Sequence, residues 1–447
     1  MKVITFASSL LALSLSAGTA VAIVSTQEAK LLGSKLTAVG ALQAANASGS
    51  IPAYTGGLAQ DVSANPYTDI YAHEKPLFVI TASNVEQYKN NLSPGQLAMF
   101  AKYPASYKMP VYPTHRTVKY PDRIQNKAKK NATTSVLLNG GNALGQFDEV
   151  FPFAIPKSGV EVIWNHTARF RGGSSEMNSA IMPVERNGSF VPIRIRASFT
   201  PPQYLLDGYD AKKDDNIMFY YTSETISPAR LTGNILLVHE TIDQVSEPRK
   251  AWVYNAGQRR VRRAPKVAYD APDTGSMRTT DQVDMFNGAP DRYNWKLIGK
   301  KELYIPYNSY KIMDQDAKYA DIIGAGHINQ DYTRYELHRV WHVQATLKEG
   351  SRHVYAKRDV YVDEDSWQIA VADHYDGRGQ LWRVAEGHSM QFVNVDAPWY
   401  VAATNYDLMS GRYMAELSTE EHDAFKFGSF KKRKEFTTSA IRRSGKR

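Results

Sequence analysis

The chain has 447 residues and no cysteine; 43% of it is hydrophobic, 22% is charged, and the formal net charge is +9. This composition excludes disulfide staples, a cysteine nucleophile and a lipid-accepting cysteine, and leaves ample apolar material for a core. Seven of the nine net positive charges fall within 431–447, so the body is nearly neutral, and without a groove-reading motif nucleic acid is a poor partner.

The first residues, MKVITFASSLLALSLSAGTAVA, combine a Lys near the start, a short apolar run and an A-x-A exit. They predict a secretory signal peptide over 1–22 with cleavage after Ala22, hence a periplasmic life without a lipid anchor. The apolar run is short for a bilayer span of about twenty residues. Residues 23–146 predict an N-terminal wrap of short helices and extended chain. Ser25 and Glu28 fit a capping box for a short helix ending at Gly33, and Ser83 and Glu86 fit a second. Ser93-Pro94 opens a helix over 94–102, with proline at its first position. Residues 103–121, with four prolines and four tyrosines, predict an extended strap.

From about 147 to 430 the pattern predicts one curved antiparallel unit. Strands are expected over 160–171, 191–199, 217–222 and 235–242, and a hairpin over 249–264 turning at Asn255-Ala256-Gly257-Gln258. Residues 265–331 show no clear period and are expected to be loops and short helices crossing one mouth of the sheet. The meander resumes at Tyr335, where Tyr335, Leu337, Trp341, Val343, Ala345 and Leu347 alternate with polar residues at a period of two. This thirteen-residue strand would span roughly 44 Å, so its apolar face needs a second layer or a cargo. The meander is expected to end near Val395. Ser418 and Glu421 cap a last short helix before the basic tail, 431–447, which suits an anionic lipid surface or plain solvent. The fold class is therefore mainly β: a strongly bent antiparallel sheet forming an unclosed barrel, with short helices over its mouth.

No catalytic motif, cofactor fingerprint or metal site is expected. His338 and His342 share a strand face about 13 Å apart, too far for one ion, and His239-Glu240 lacks the second histidine of a zinc-protease motif. Gly324-Ala325-Gly326 lacks the third glycine of a dinucleotide loop. Carboxylate pairs such as Asp214-Asp215 and Glu364-Asp365 fall in predicted turns. Trp164, Trp252, Trp341, Trp367 and Trp382 lie in predicted strands, where they either line a ligand cavity or pack the core. Among Arg259, Arg260, Arg262 and Arg263, Arg259 and Arg263 share one face and are candidates for head-group contact; a charged edge that blocks strand aggregation is the alternative.

Eight segments carry a family resemblance: GSIPAYTGG at 49–57, EKPLF at 74–78, LSPGQL at 92–97, MPVYPTHR at 109–116, VIWNH at 162–166, FNGAPDRY at 286–293, IPYN at 305–308 and DEDSW at 363–367. With them the chain resembles the bacterial family of domain of unknown function 1329, commonly labelled outer-membrane lipoprotein-sorting protein. The resemblance implies a fold like the periplasmic lipoprotein carriers, with an apolar cavity under helices. It implies service alongside an inner-membrane exporter and an outer-membrane companion, and it assigns no catalytic residue. The leading expectation is a soluble periplasmic carrier of a lipid or other amphiphile, with the helices over 84–102 as lid and the tail touching the membrane. A glycan-binding or glycan-active protein and a structural adaptor of an export complex are the alternatives.

Overall fold

A computed structural model describes residues 24–59, 65–265, 267, 269–314, 316–418, 424–428 and 430–445. The expected signal peptide falls outside the described residues, as do positions 419–421 of the helix expected at 418–421. The N-terminal part holds α1 (Thr26–Ala29), β1 (Phe78–Ile80), α2 (Pro94–Lys102), β2 (Met109–Val111), α3 (Asp122–Thr134), β3 (Val136–Leu138), β4 (Ala143–Gly145) and α4 (Gly159–Thr167). Then follow β5 (Ser175–Val184), β6 (Ile193–Thr200), α5 (Ala211–Asp214), β7 (Ile217–Thr225), β8 (Ile235–Thr241), β9 (Lys250–Asn255) and β10 (Arg260–Arg263). The rest comprises β11 (Tyr293–Pro306), α6 (Tyr319–Ile322), β12 (Tyr335–Leu347), β13 (Lys357–Asp363), β14 (Ile369–Tyr375), β15 (Leu381–Phe392), β16 (Ala397–Asp407), β17 (Tyr413–Leu417), β18 (Phe425–Phe427) and α7 (Thr438–Ser444).

Sixteen of these strands form one sheet. Its main run is antiparallel throughout: β11 to β17 in chain order, then β5 to β10. β10 and β11 each pair on one side only, so the barrel is unclosed, as expected. β1 and β2 join at the start of β12 through a parallel bridge between Val111 and Tyr335, and β18 joins β5.

Four expectations are corrected. Residues 160–171 are not a strand: Ser158 and Glu161 close a capping box that starts α4, and eight of its nine residues are buried. The β-branched residues that suggested a strand pack on every side of this core helix, where burial overrides propensity. The stretch 265–331 is not all loop, for it contains the fourteen-residue β11. A bulge between Leu297 and Gly299 shifts its register, and the bulge reverses which residues face inward, so the period of two breaks mid-strand. The meander also runs beyond Val395, through β16 and β17. The box expected at Ser83 does not form either: Asn84 precedes a 3-10 turn without a side-chain cap, its Oδ1 instead accepting from the Thr81 N–H.

Cross-strand register separates the two faces. On one, Ala180, Met182, Tyr304, Val384, Ala402, Tyr406, Ala415 and Leu417 pack against Leu92, Met99 and Phe100 of the α2 region. The segment expected to be a lid is thus fixed on this face, opposite the cavity described below. Its N-terminus is fastened to buried carboxylates: Asp373 accepts from Ser93 Oγ (3.1 Å) and the Gly95 N–H (3.0 Å), while Glu386 accepts from Gln96 Nε2 (3.2 Å) and Tyr335 Oη (2.9 Å).

Burial pushes both carboxyls up to about 7, against the pull of those donors. Acids raised in the folded state favour their neutral form, so their contribution is fully present below the unfolded values near 4 and is lost as pH rises to about 7. Asp373→Asn and Glu386→Gln should each remove this loss, stabilising the protein by on the order of 2 kcal/mol at pH 8 and little at pH 4. Urea unfolding at the two pH values checks this, and equal effects at both would refute it.

Candidate functional site

The other face of β5–β8 and β16–β17 holds a cavity of about 210 Å³. Period-two alternation builds its wall: Phe199, Tyr221 and Val238 are successive cross-strand partners in one row, and Met177 pairs Ala197 in the next, beside Leu236. Ile195 and Phe219 extend the wall, and Trp399 and Val401 close the β16 side. Trp399 meets Phe199 edge to face at 5.7 Å between ring centroids.

The segment between β10 and β11 covers this hollow, contributing Val267, Asp273, Arg278, Thr280, Val283, Asp284 and Asn287 to the lining. The part of the 265–331 stretch that precedes β11 thus lies over this hollow. It is held at several points. Met277 packs with Ile181, Ile195 and Met414. Asp281 accepts from the buried Arg358 at 2.6 Å, and Arg249 donates to the Val267 carbonyl at 3.3 Å and to the Asn287 carbonyl. Asp284 pairs with Arg169 and, at 2.6 Å, with Arg171. Burial opposes the Asp284 charge, yet Arg169 and Arg171 hold its carboxyl well below the usual range. Burial, then Arg169, draws Arg171 down to about 10. His166 of α4, kept neutral mainly by burial, donates through Nε2 to the Asp284 carbonyl (3.0 Å) and accepts the Ile369 N–H at Nδ1 (3.2 Å).

Charge is confined to ion pairs around the apolar wall. Arg278 Nε lies 2.6 Å from Asp273, its NH1 2.8 Å from Glu416, and Arg249 Nε is 2.7 Å from Glu240 Oε2. Glu240 is 2% exposed, its Oε1 has no hydrogen-bond partner, and burial pushes its carboxyl up against the pull of Arg249.

None of the five tryptophans singled out in the sequence lines this cavity. Trp164 is on α4, not a strand, and its Nε1 donates to the Gly141 carbonyl at 2.9 Å. Trp367 occupies a turn at φ 58° and stacks on Trp341 at 6.0 Å. Trp252 packs on His239 on the opposite face, and Trp382 donates to Asp407 at 2.9 Å. Trp399 was missed because the meander was expected to stop four residues earlier; continued alternation from Ala397 was the available signal. Arg259 sits in the β9–β10 turn at φ 52° and Arg263 on the exposed edge strand, neither in the cavity.

The basic tail is docked rather than free over much of its length. Phe436 and Ile441 are buried against Ile217, Tyr220, Leu237 and Tyr254. Arg433 Nε lies 3.0 Å from Asp214, and Lys431 pairs with Glu176 at 3.0 Å. This places exposed Arg442 and Arg443 beside the arginine hairpin, since α7 packs on β10. No ion pair engages Arg259, Arg263, Arg442 or Arg443 among the described residues.

Three segments that carry the family resemblance meet elsewhere, in a buried ionic network. Arg116 grips both oxygens of Asp365 (2.6 and 2.9 Å), and Asn308 donates to Glu336 at 2.9 Å, as does the His115 N–H at 2.8 Å. These contacts bind the N-terminal wrap to the sheet. His338, Asp363 and Asp365 offer ligand atoms within 4.8 Å of one another, but Arg116 already occupies Asp365 and Glu336 faces His338 at 3.1 Å. A second cleft, of about 470 Å³, carries Tyr67, Tyr71 and Tyr112; its Glu74 is tied to His115 and Arg334.

With this geometry in view, comparison with known proteins is decisive for family. The model of the family described as Protein of unknown function (DUF1329) matches residues 79–442. The chain belongs to this family. It is 55% identical to the uncharacterized protein PA3922 of Pseudomonas aeruginosa, over 98% of this chain and 97% of that one. The DUF1329 chain is also similar in structure to a putative outer membrane lipoprotein-sorting protein domain from Vibrio parahaemolyticus (TM-score 0.44, 12% identity, 64% of this chain and 98% of that one). A LolA superfamily protein from Nitrosomonas europaea gives TM-score 0.37 and 13% identity, over 64% and 99% of the two chains. No helix among the described residues is long and apolar enough to cross a membrane.

Proposed function

We infer that this DUF1329 protein is a periplasmic carrier or binder of an amphiphile with one alkyl chain. The observation that carries this reading is the covered cavity of about 210 Å³ with its apolar β-wall. An apolar cavity of ~150 Å³ stays dry and takes benzene, while drug-sized sites run to ~300–1,000 Å³. The hollow therefore suits part of one chain and is small for several acyl chains together. Burying about eight methylenes gains on the order of 6 kcal/mol, which corresponds to affinity between millimolar and micromolar. That is tight enough to shelter a chain and weak enough to release it. Mass spectrometry of organic extracts from protein purified from its native host tests the reading: one amphiphile per chain is expected, and a clean extract together with no uptake of a fluorescent alkyl probe would oppose it.

An inner-membrane exporter and an outer-membrane companion are the partners this reading calls for. Contact with an anionic bilayer falls to the surface where Arg259 and Arg263 adjoin Arg442 and Arg443. Each basic side chain near such a surface contributes about 1 kcal/mol, screened over ~8 Å at physiological salt. Reversing both charges in α7, Arg442→Glu with Arg443→Glu, should cut binding to phosphatidylglycerol-containing vesicles at least about tenfold and leave binding to neutral vesicles unchanged. Vesicle co-sedimentation reads this out; equal binding by the variant would remove the tail from the contact.

A further inference from the structure

Building on the carrier reading, we propose that the cavity selects amphiphiles whose polar end is a hydrogen-bond donor, a hydroxyl or an ammonium, over those ending in a carboxylate. The lining carries three arginines, Arg171, Arg249 and Arg278, against four carboxylates, Glu240, Asp273, Asp284 and Glu416. Every arginine is engaged within the protein. Arg171 donates to the Thr167 and Arg169 carbonyls (3.0 and 3.1 Å) and to Asp284 (2.6 Å). Arg278 is shared between Asp273 and Glu416. Arg249 holds Val267 and Asn287, and its Nε makes the 2.7 Å ion pair with Glu240 Oε2 without hydrogen-bond geometry. An incoming carboxylate would displace one of these pairs and add an unmatched negative charge, because with Arg169 also on Asp284 the four carboxylates already meet four arginines.

A donor finds the opposite situation. Glu240 stands at the end of the β8 row that begins with Leu236 and Val238, and all three line the hollow. Its Oε1 is buried and has no hydrogen-bond partner, so it is an acceptor already stripped of solvent. A buried acceptor left unpaired is costly, and a ligand donor that reaches it recovers that cost. A chain lying along Leu236 and Val238 brings its polar end to the Glu240 side chain, which lines the hollow.

Competition against N-phenyl-1-naphthylamine, using the full-length mature protein at pH 8 with decanol, decylamine and decanoate, tests the proposal. Decanol or decylamine should displace the dye at concentrations at least about tenfold below decanoate, equivalent to about 1.4 kcal/mol. A lead for decanol assigns the site to a neutral hydroxyl, and a lead for decylamine assigns it to an ammonium; either upholds the donor rule. Glu240→Gln, which offers a donor as well as an acceptor, should shrink the gap to about threefold or less, chiefly by improving decanoate. Equal displacement by all three competitors, or a lead for decanoate, overturns the donor rule while leaving the carrier reading intact. Failure of the dye and of all three competitors to bind overturns both. The wild-type ranking decides the matter even if the variant does not fold.

Discussion

Asp284→Ala should lower the unfolding free energy by about 3–5 kcal/mol. Among the described residues Asp284 is the one carboxylate that neutralises both Arg169 and Arg171, whose side chains are 1% and 7% exposed. Its removal strands two guanidinium groups in a water-poor interior, and an unpaired buried charge is among the few causes of a loss this large. The carboxyl is held below its usual range, so the stability it supplies is present above the unfolded value near 3.9 and drains away as pH falls below it. Guanidinium denaturation at pH 7 measures the loss. The same substitution frees one end of the segment over the cavity, so a bound alkyl probe should dissociate faster. A loss below about 1 kcal/mol would mean that the segment is held by its apolar contacts alone.

Ala197→Phe should abolish alkyl binding while sparing the fold. Ala197 lies mid-wall on β6, between Met177 of β5 and Ser223 of β7 in the cross-strand register, and its methyl borders the hollow. Overpacking a full core costs about 1–3 kcal/mol, but here the ring enters existing space, so stability should stay within about 1 kcal/mol of wild type. Affinity for the naphthylamine dye should fall at least about tenfold, equivalent to about 1.4 kcal/mol. Fluorescence titration alongside urea unfolding separates the two effects. Undiminished binding by a folded variant would place the ligand elsewhere.

The architecture was legible in the sequence where one face of an element alternates cleanly. β12 runs from Tyr335 to Leu347, the limits its period of two suggests, and α2 begins at the Ser93-Pro94 cap. It was hidden where burial is two-sided or the register shifts. α4 is buried almost all round and so lacks an amphipathic stripe, although its Ser158–Glu161 cap was readable. β11 loses its alternation at Gly299, beside the polar run Lys300-Lys301-Glu302. The site was less legible still. Arg171 and Asp284 are 113 residues apart, and no local pattern announces a partner at that distance. Size alone was a poor guide to which aromatic residues face a hollow: Trp367 is the largest fully buried side chain, yet it serves a turn and a stack.

Photolabelling with a diazirine-bearing decyl probe, followed by mapping of the modified residues by mass spectrometry, addresses the sheltered-chain account at its root. Adducts are expected on Phe199 and Val238 of the β-wall and on Val283 above it, with their yield suppressed by unlabelled decanol. Adducts confined to exposed side chains and insensitive to that competitor would contradict the account.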